Sequence, residues 1–224
     1  VYLTGEYEAG RGTDITGTTD PNLVCITAPC VPPELADGKL DYQRLFFDAR
    51  SYLRVSPAGR LNVRVTGGGR VGGEALPLQR RFALGYPDPL PGYGFRQFSC
   101  GGEVAAGTPA LCDGVLVGQA EFRTHLGFDF GPEWANDWGE DDNDRYEPFH
   151  VTGPDIVFFA DAGRAWMTGN GPNRAPVGRI PALSSFKSDI GLGLDTGPIG
   201  FYFAKALDQA NRPVSFTVRM GRRF

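Results

Sequence analysis

Period-two alternation constrains this chain more than any other feature, because it separates apolar residues from charged ones. Successive side chains of an extended strand point to opposite faces. In Tyr42 to Val55, Leu45, Phe47, Ala49, Leu53 and Val55 share one face, and Arg44, Asp48, Arg50 and Arg54 share the other. In Arg60 to Thr66, Leu61, Val63 and Val65 oppose Arg60, Asn62 and Arg64. Ile190, Leu192 and Leu194 oppose Asp189, Gly191, Gly193 and Asp195, and Phe216, Val218 and Met220 oppose Ser215, Thr217 and Arg219. The 32 glycines and 18 prolines fall mostly between such runs, as turns between many strands would. An all-β fold follows.

Alternation also suits a water-soluble barrel or sandwich, which turns its apolar side chains inward. Three features favour the inverse arrangement, a transmembrane barrel with a polar interior: the strongly charged second face, aromatic residues crowding the strand ends, and a final run that reads as a strand up to Phe224. No stretch approaches the roughly 18 to 20 apolar residues of a membrane-spanning helix, and no charged-then-apolar leader opens at Val1. A net charge of -4 and the lack of a Lys/Arg run beyond Arg222-Arg223 argue against nucleic acid as a partner.

About eight strands are expected, near residues 1–8, 42–55, 60–70, 115–126, 156–167, 186–196, 199–206 and 214–224. Their connections alternate in length. Ser56-Pro57-Ala58-Gly59 and Thr196-Gly197-Pro198 are tight turns, whereas 9–41, 71–114 and 168–185 are long loops, extracellular if the C-terminus is periplasmic. Residues 1–224 thus form one domain. Cys25 with Cys30 and Cys100 with Cys112 fall as local pairs in two of the long loops, which suggests disulfides and an oxidising compartment. A zinc site would need ligands from distant loops without a CxxC spacing.

The connection 127–155 breaks the rule, being long on the side of the tight turns. It is also acidic, with Asp137, Glu140, Asp141, Asp142, Asp144 and Glu147 close together. Such carboxylates are a weak calcium candidate, because the run lacks the D-x-D-x-D-G order with a distal Glu. A solvated or partner-docking loop is the plainer reading. No other metal and no cofactor are expected. Gly-x-Ser-x-Gly, HExxH and phosphate-loop patterns are absent, and neither His125 nor His150 has a nucleophile beside it in the sequence, so no catalytic residue is expected and the chain reads as not an enzyme.

Several segments, read in order, resemble the C-terminal barrel region of the BamA/TamA superfamily, the bacterial surface antigen family. They are Leu76-Pro-Leu-Gln-Arg-Arg-Phe-Ala-Leu-Gly85, Gly94-Phe-Arg-Gln-Phe98, Gly118-Gln-Ala-Glu-Phe-Arg123, Val157-Phe-Phe-Ala-Asp-Ala-Gly-Arg-Ala-Trp166, Ser188-Asp-Ile-Gly-Leu-Gly-Leu-Asp195, Gly197-Pro-Ile-Gly200 and Arg222-Arg-Phe224. The resemblance covers residues 40–224 and reaches the first forty only by position. Two departures stand out: Gln97 occupies a place where the loop-tip motif has Gly, and the 127–155 insertion exceeds the usual turn.

The resemblance implies that the tip of the 71–114 loop folds into the lumen, where Arg96 pairs with Asp161 and Glu121 and Gly163 leaves room for the loop backbone. A guanidinium makes forked bonds to carboxylates that an ammonium does not reproduce. It also implies that Phe216, Val218, Met220 and Phe224 act as a terminal strand signal for barrel insertion. The implied function is assembly of outer-membrane proteins or translocation of a polypeptide, in the bacterial outer membrane. Lipid is then one partner, and a polypeptide client or other subunits of a membrane complex are others. The alternatives are a non-catalytic anchor or scaffold subunit of a surface complex, and the translocator part of a lipase-type fusion. The family barrel has sixteen strands, so eight here imply half a barrel, completed by more of a longer chain or by self-association. Eight strands closing alone would leave room for side chains but not for an inserted loop.

Overall fold

The computed structural model describes residues 1–13, 39–74, 76–82, 90–93, 98–100, 102–103, 111–126, 154–169, 174–208, 211–221 and 223. Eleven strands occur among them. They are β1 (Tyr2–Thr13), β2 (Lys39–Arg54), β3 (Gly59–Gly73), β4 (Phe98–Ser99), β5 (Gly102–Glu103), β6 (Gly114–His125), β7 (Asp155–Thr168), β8 (Arg174–Ala175), β9 (Lys187–Asp195), β10 (Ile199–Ala206) and β11 (Ser215–Met220). The long strands form one antiparallel sheet in the order β1-β2-β3-β6-β7-β9-β10-β11; β8 pairs with β7, and β4 and β5 form a separate hairpin. The fold is therefore all-β, and the eight long strands lie where the alternating pattern predicts them. Among the described residues the sheet is open, since β1 and β11 pair with no common neighbour and not with each other.

Boundaries differ from the sequence expectation in an instructive way. β1 runs to Thr13 and β3 to Gly73, so these strands extend past their apolar residues into Gly-rich and polar ones. Cross-strand pairing carries them there, because Thr13 faces Lys39 and Gly73 faces Tyr42 in unbroken ladders apart from one bulge at Gln43/Arg44. The last strand stops earlier than expected, at Met220. Gly221 adopts φ +86°, a left-handed conformation suited to glycine, and its N–H bonds to the Pro198 carbonyl; the chain then turns and Arg223 is buried.

The two faces of the sheet differ completely. Asn62, Gln119, Glu121, Arg123, Asp161, Asp189, Asp195 and Thr217 are buried on one face, called here the inner face. The large apolar residues that alternate with them are exposed on the other: Phe122, Phe158, Ile190, Leu192, Leu194, Phe201, Phe203, Phe216 and Val218. Phe203 and Phe216 pack ring to ring on that outer face, with centroids 5.0 Å apart.

Part of the β3–β6 connection lies over the inner face. Phe82 stacks on Phe46 of β2, with centroids 6.2 Å apart, and the Arg44 guanidinium lies 4.7 Å from the Phe82 ring centre. Further along, Leu90 and Tyr93 are fully buried. There the Gly92 N–H donates to Asp189 Oδ2 at 2.5 Å, and the Ser215 hydroxyl donates to the Pro91 carbonyl at 2.5 Å. Any Cβ on Gly92 would stand 2.7 Å from the Asp189 Cβ and 2.9 Å from the Ala206 backbone nitrogen, so only glycine lets the connection sit this close to the sheet.

Candidate functional site on the inner face

Strand register brings the charged residues together. Asn62 of β3 faces Glu121 of β6, Gln119 faces Asp161 of β7, and Asp161 faces Asp189 of β9. Residues far apart in sequence thus form rows across the inner face, which a single strand's alternation cannot reveal.

Arg123 is the hub of one group. Its Nε donates to Glu121 Oε1, its Nη1 donates to Asp195 Oδ2 at 2.5 Å, and Asp155 Oδ2 stands 3.8 Å from Nη1. Asn62 Nδ2 donates to the same Glu121 oxygen at 3.2 Å, and the Tyr202 hydroxyl donates to Asp195 Oδ2 at 3.1 Å. Arg123, Glu121, Asp195, Asn62 and Tyr202 are all nearly fully buried. Sharing carboxylates around one guanidinium offsets the cost of removing charge from water, which an isolated pair would not do as well. Glu121 Oε2 has no partner among the described residues.

A second group surrounds Asp161. Arg223 Nη2 donates to Asp161 Oδ2, and Gln119 Nε2 reaches Asp161 Oδ1 at 3.5 Å. The Arg223 guanidinium also lies 3.9 Å from the Phe159 ring centre. Phe159 in turn lies over Gly191, where an added Cβ would meet the ring at 2.0 Å and the Phe203 carbonyl at 2.4 Å. Gly191 therefore makes the space into which Phe159 folds, and Phe159 makes the platform on which Arg223 rests. Asp189, beside Asp161, accepts from Gly92, so the second group extends to the β3–β6 connection.

Toward the rim, Asp48 takes both Arg64 and Arg50 at 2.7 Å. Glu8 binds the Tyr42 hydroxyl at 2.7 Å, Arg80 Nε at 2.8 Å and Arg44 Nη1 at 3.3 Å, which ties the connection to β1 and β2. Midway along the connection, the Tyr93 hydroxyl donates to Asp208, which also pairs with Lys187, and shares its hydrogen with the Ser188 carbonyl at 2.9 Å. Burial, with Asp208 beside it, pushes the Tyr93 phenol up, so it remains a donor. Burial acts to raise Asp208 too, but the bonds from Lys187 and Tyr93 outweigh it and hold that carboxyl below the ordinary range.

Of the residues expected to form the lumen lock, Asp161 and Glu121 lie on the inner face in neighbouring rows, and Gly163 is buried on the same strand face as Asp161. Arg96 lies outside the described residues, though the backbone of Phe98–Ser99 runs beside β7. Phe216, Val218 and Met220 line one outward face of β11, and Phe224 lies outside the described residues. Cys100 and Cys112 form a disulfide with Cα atoms 5.2 Å apart. Cys25, Cys30 and the acidic run at 137–147 lie outside the described residues. Among the described residues no cluster of three or more His, Cys, Asp or Glu is placed to hold a metal. Sequence reasoning missed Arg123 and Arg223 as the partners of the inner carboxylates. The signal for Arg123 was its place two residues from Glu121 on one strand face; Arg223 gave none, because its approach depends on the turn at Gly221.

The chain is thus an all-β protein whose antiparallel sheet is polar and ion-paired on one face and apolar on the other. No protein-family model matches it, and no curated protein matches it. A solved structure of BamA from Haemophilus ducreyi lacking POTRA domains 1–3 is similar, with 14% sequence identity and a TM-score of 0.49 over 80% of this chain and 36% of that one. The chain therefore spans little more than a third of that structure's length.

Proposed function

We propose that this chain is part of an outer-membrane β-barrel of the assembly or translocation type, half of a larger barrel whose interior holds the β3–β6 connection. The observation that carries the reading is the inversion of the sheet. Buried Glu121, Arg123, Asp161, Asp189 and Asp195 stand on the face that the connection covers, while Phe158, Leu192, Phe203 and Phe216 stand bare on the other. Water is a poor solvent for such an outer surface, and each large apolar side chain gains about 1.5–3 kcal/mol on leaving it. Lipid outside and a hydrated, ion-paired lumen inside satisfy both faces.

In this reading no covalent step is needed. The seam of such a barrel offers a strand edge to which an incoming strand can add by main-chain hydrogen bonds. Arg96 is the residue we assign to the lumen carboxylates; with Arg123 and Arg223 already on Glu121 Oε1 and Asp161 Oδ2, Glu121 Oε2 and Asp189 Oδ1 are buried acceptors open to it. The inner network then serves as the frame that holds the connection while the edge works.

Nitroxide labels test the membrane placement. In vesicles, labels at Leu192 and Phe203 are expected to be relaxed by oxygen and shielded from a water-soluble nickel chelate, and labels at the exposed inner-face positions Glu6 and Arg60 to show the reverse. Chelate access to Leu192 equal to that at Arg60 would sink the membrane reading. The assembly role is read separately, by reconstituting the protein and measuring how fast a urea-unfolded small barrel protein inserts. An unchanged insertion rate, with labels in lipid, would leave an anchor or scaffold.

A further inference from the structure

Near the end of the sheet that carries the long connections, the outer face holds a groove built by absence of side chains. Gly69 of β3 faces outward with no side chain, opposite Leu45 of β2 and Gly114 of β6. At Gly67, two residues earlier, the Phe47 ring and a Leu116 methyl already occupy the space a Cβ would take, at 2.7 and 2.9 Å, and so close that end of the groove. The cavity is about 160 Å³ and continues past Val71 and Trp166 to Arg179 and Ile180.

The β7–β9 connection closes the groove's upper end in a way that water does not favour. Gly178, at φ +72°, turns the segment so that Arg179 N–H bonds the Pro176 carbonyl. Around this turn Val177, Ile180 and Leu183 are exposed at 41%, 61% and 76%. Apolar residues presented this openly on a connection, beside an exposed arginine with no side-chain partner among the described residues, form an amphipathic arch suited to a membrane interface.

We propose that this groove holds part of one acyl chain of a phospholipid of net negative charge, with Arg179 on the phosphate. The proposal rests on the membrane reading above and adds a specific lipid site to it. The match is chemical at both ends. A glycine-floored channel between aliphatic and aromatic walls takes an unbranched chain, and a guanidinium at its mouth makes forked, charge-assisted bonds to a phosphate that an uncharged side chain does not replace. Ile180 and Leu183 beside it lie at the depth of the first methylenes, which sets the headgroup level at Arg179.

Native mass spectrometry of the detergent-solubilised full chain tests this with two probes, dioleoyl phosphatidylglycerol and dioleoyl phosphatidylcholine. The wild type is expected to retain one phosphatidylglycerol with a preference of about tenfold over phosphatidylcholine. R179S is expected to lose the preference while still retaining lipid, and V71W, which fills the groove from its rim, to lose retention of both. Equal retention of the two lipids by the wild type, or an unchanged preference in R179S, overturns the proposal. The nitroxide labels at Leu192 and Phe203 separate the two failures: labels in lipid with no retained phosphatidylglycerol reject the site alone, and labels in water reject the membrane reading with it.

Discussion

The Arg223 guanidinium lies 3.9 Å from the centre of the Phe159 ring, so a residue that follows the last strand is held inside the sheet by a side chain of its middle. The same guanidinium is the cation on Asp161, next to Asp189. R223A is expected to destabilise the fold by about 3–5 kcal/mol, because it leaves buried carboxylates without their cation. R223K is expected to recover only part of this, since lysine keeps the charge but not the planar fork over the ring. Urea unfolding followed by tryptophan fluorescence reads both. Equal stability of R223A and the wild type would show that the pair contributes nothing.

G191A is expected to cost about 1–3 kcal/mol by crowding Phe159 and the Phe203 carbonyl. F159A added to it removes the ring but not the carbonyl at 2.4 Å, so the double variant is expected to remain less stable than F159A alone. A double-mutant cycle in the same unfolding assay measures this.

Acid is expected to loosen the β3–β6 connection around Tyr93. Asp208 has its carboxyl lowered in the fold, so its contribution to stability is present above the unfolded carboxylate pKa of about 3.9 and is lost as pH falls through the lower folded value. Hydrogen exchange at Gly92 and Tyr93, compared with that of β9, is expected to rise relative to the neutral-pH pattern in that acid window. D208N is expected to show the raised exchange already at neutral pH and to flatten its pH dependence. An acid response unchanged by D208N would place the trigger elsewhere.

Reduction of the Cys100–Cys112 disulfide removes a crosslink across a 12-residue separation. By chain entropy this is worth about 3 kcal/mol, model-dependent, to the segment it closes. Limited proteolysis is expected to cut between the two cysteines faster in C100S/C112S than in the wild type, with the long strands still protected. Identical cleavage rates would show that the crosslink does not restrain the segment.

How far the sequence discloses this fold depends on whether a feature is local. Period-two alternation, as in Ile190, Leu192 and Leu194, is local to one strand, and it predicted strand positions and the face each residue takes. It left open which face meets water, because a sandwich core and a lipid-facing wall share one pattern; the burial of Glu121 and Asp161 and the exposure of Leu192 and Phe203 show which set of residues the fold encloses. The ion-pair partners were illegible for another reason. Arg123 meets Asp195 across two intervening ladders and Arg223 meets Asp161 through the turn at Gly221, and no periodicity encodes register or a single backbone angle.

The ladders themselves are unequal: β3 has 15 residues and β11 has 6. A sheet stitched so unevenly has a mechanical polarity. Force applied at the C-terminal side meets the shortest row of backbone bonds first and peels β11 away from β10, while the broad seam between β2 and β3 stays shut. The sheet is thus built to yield at β11 before its interior seams part.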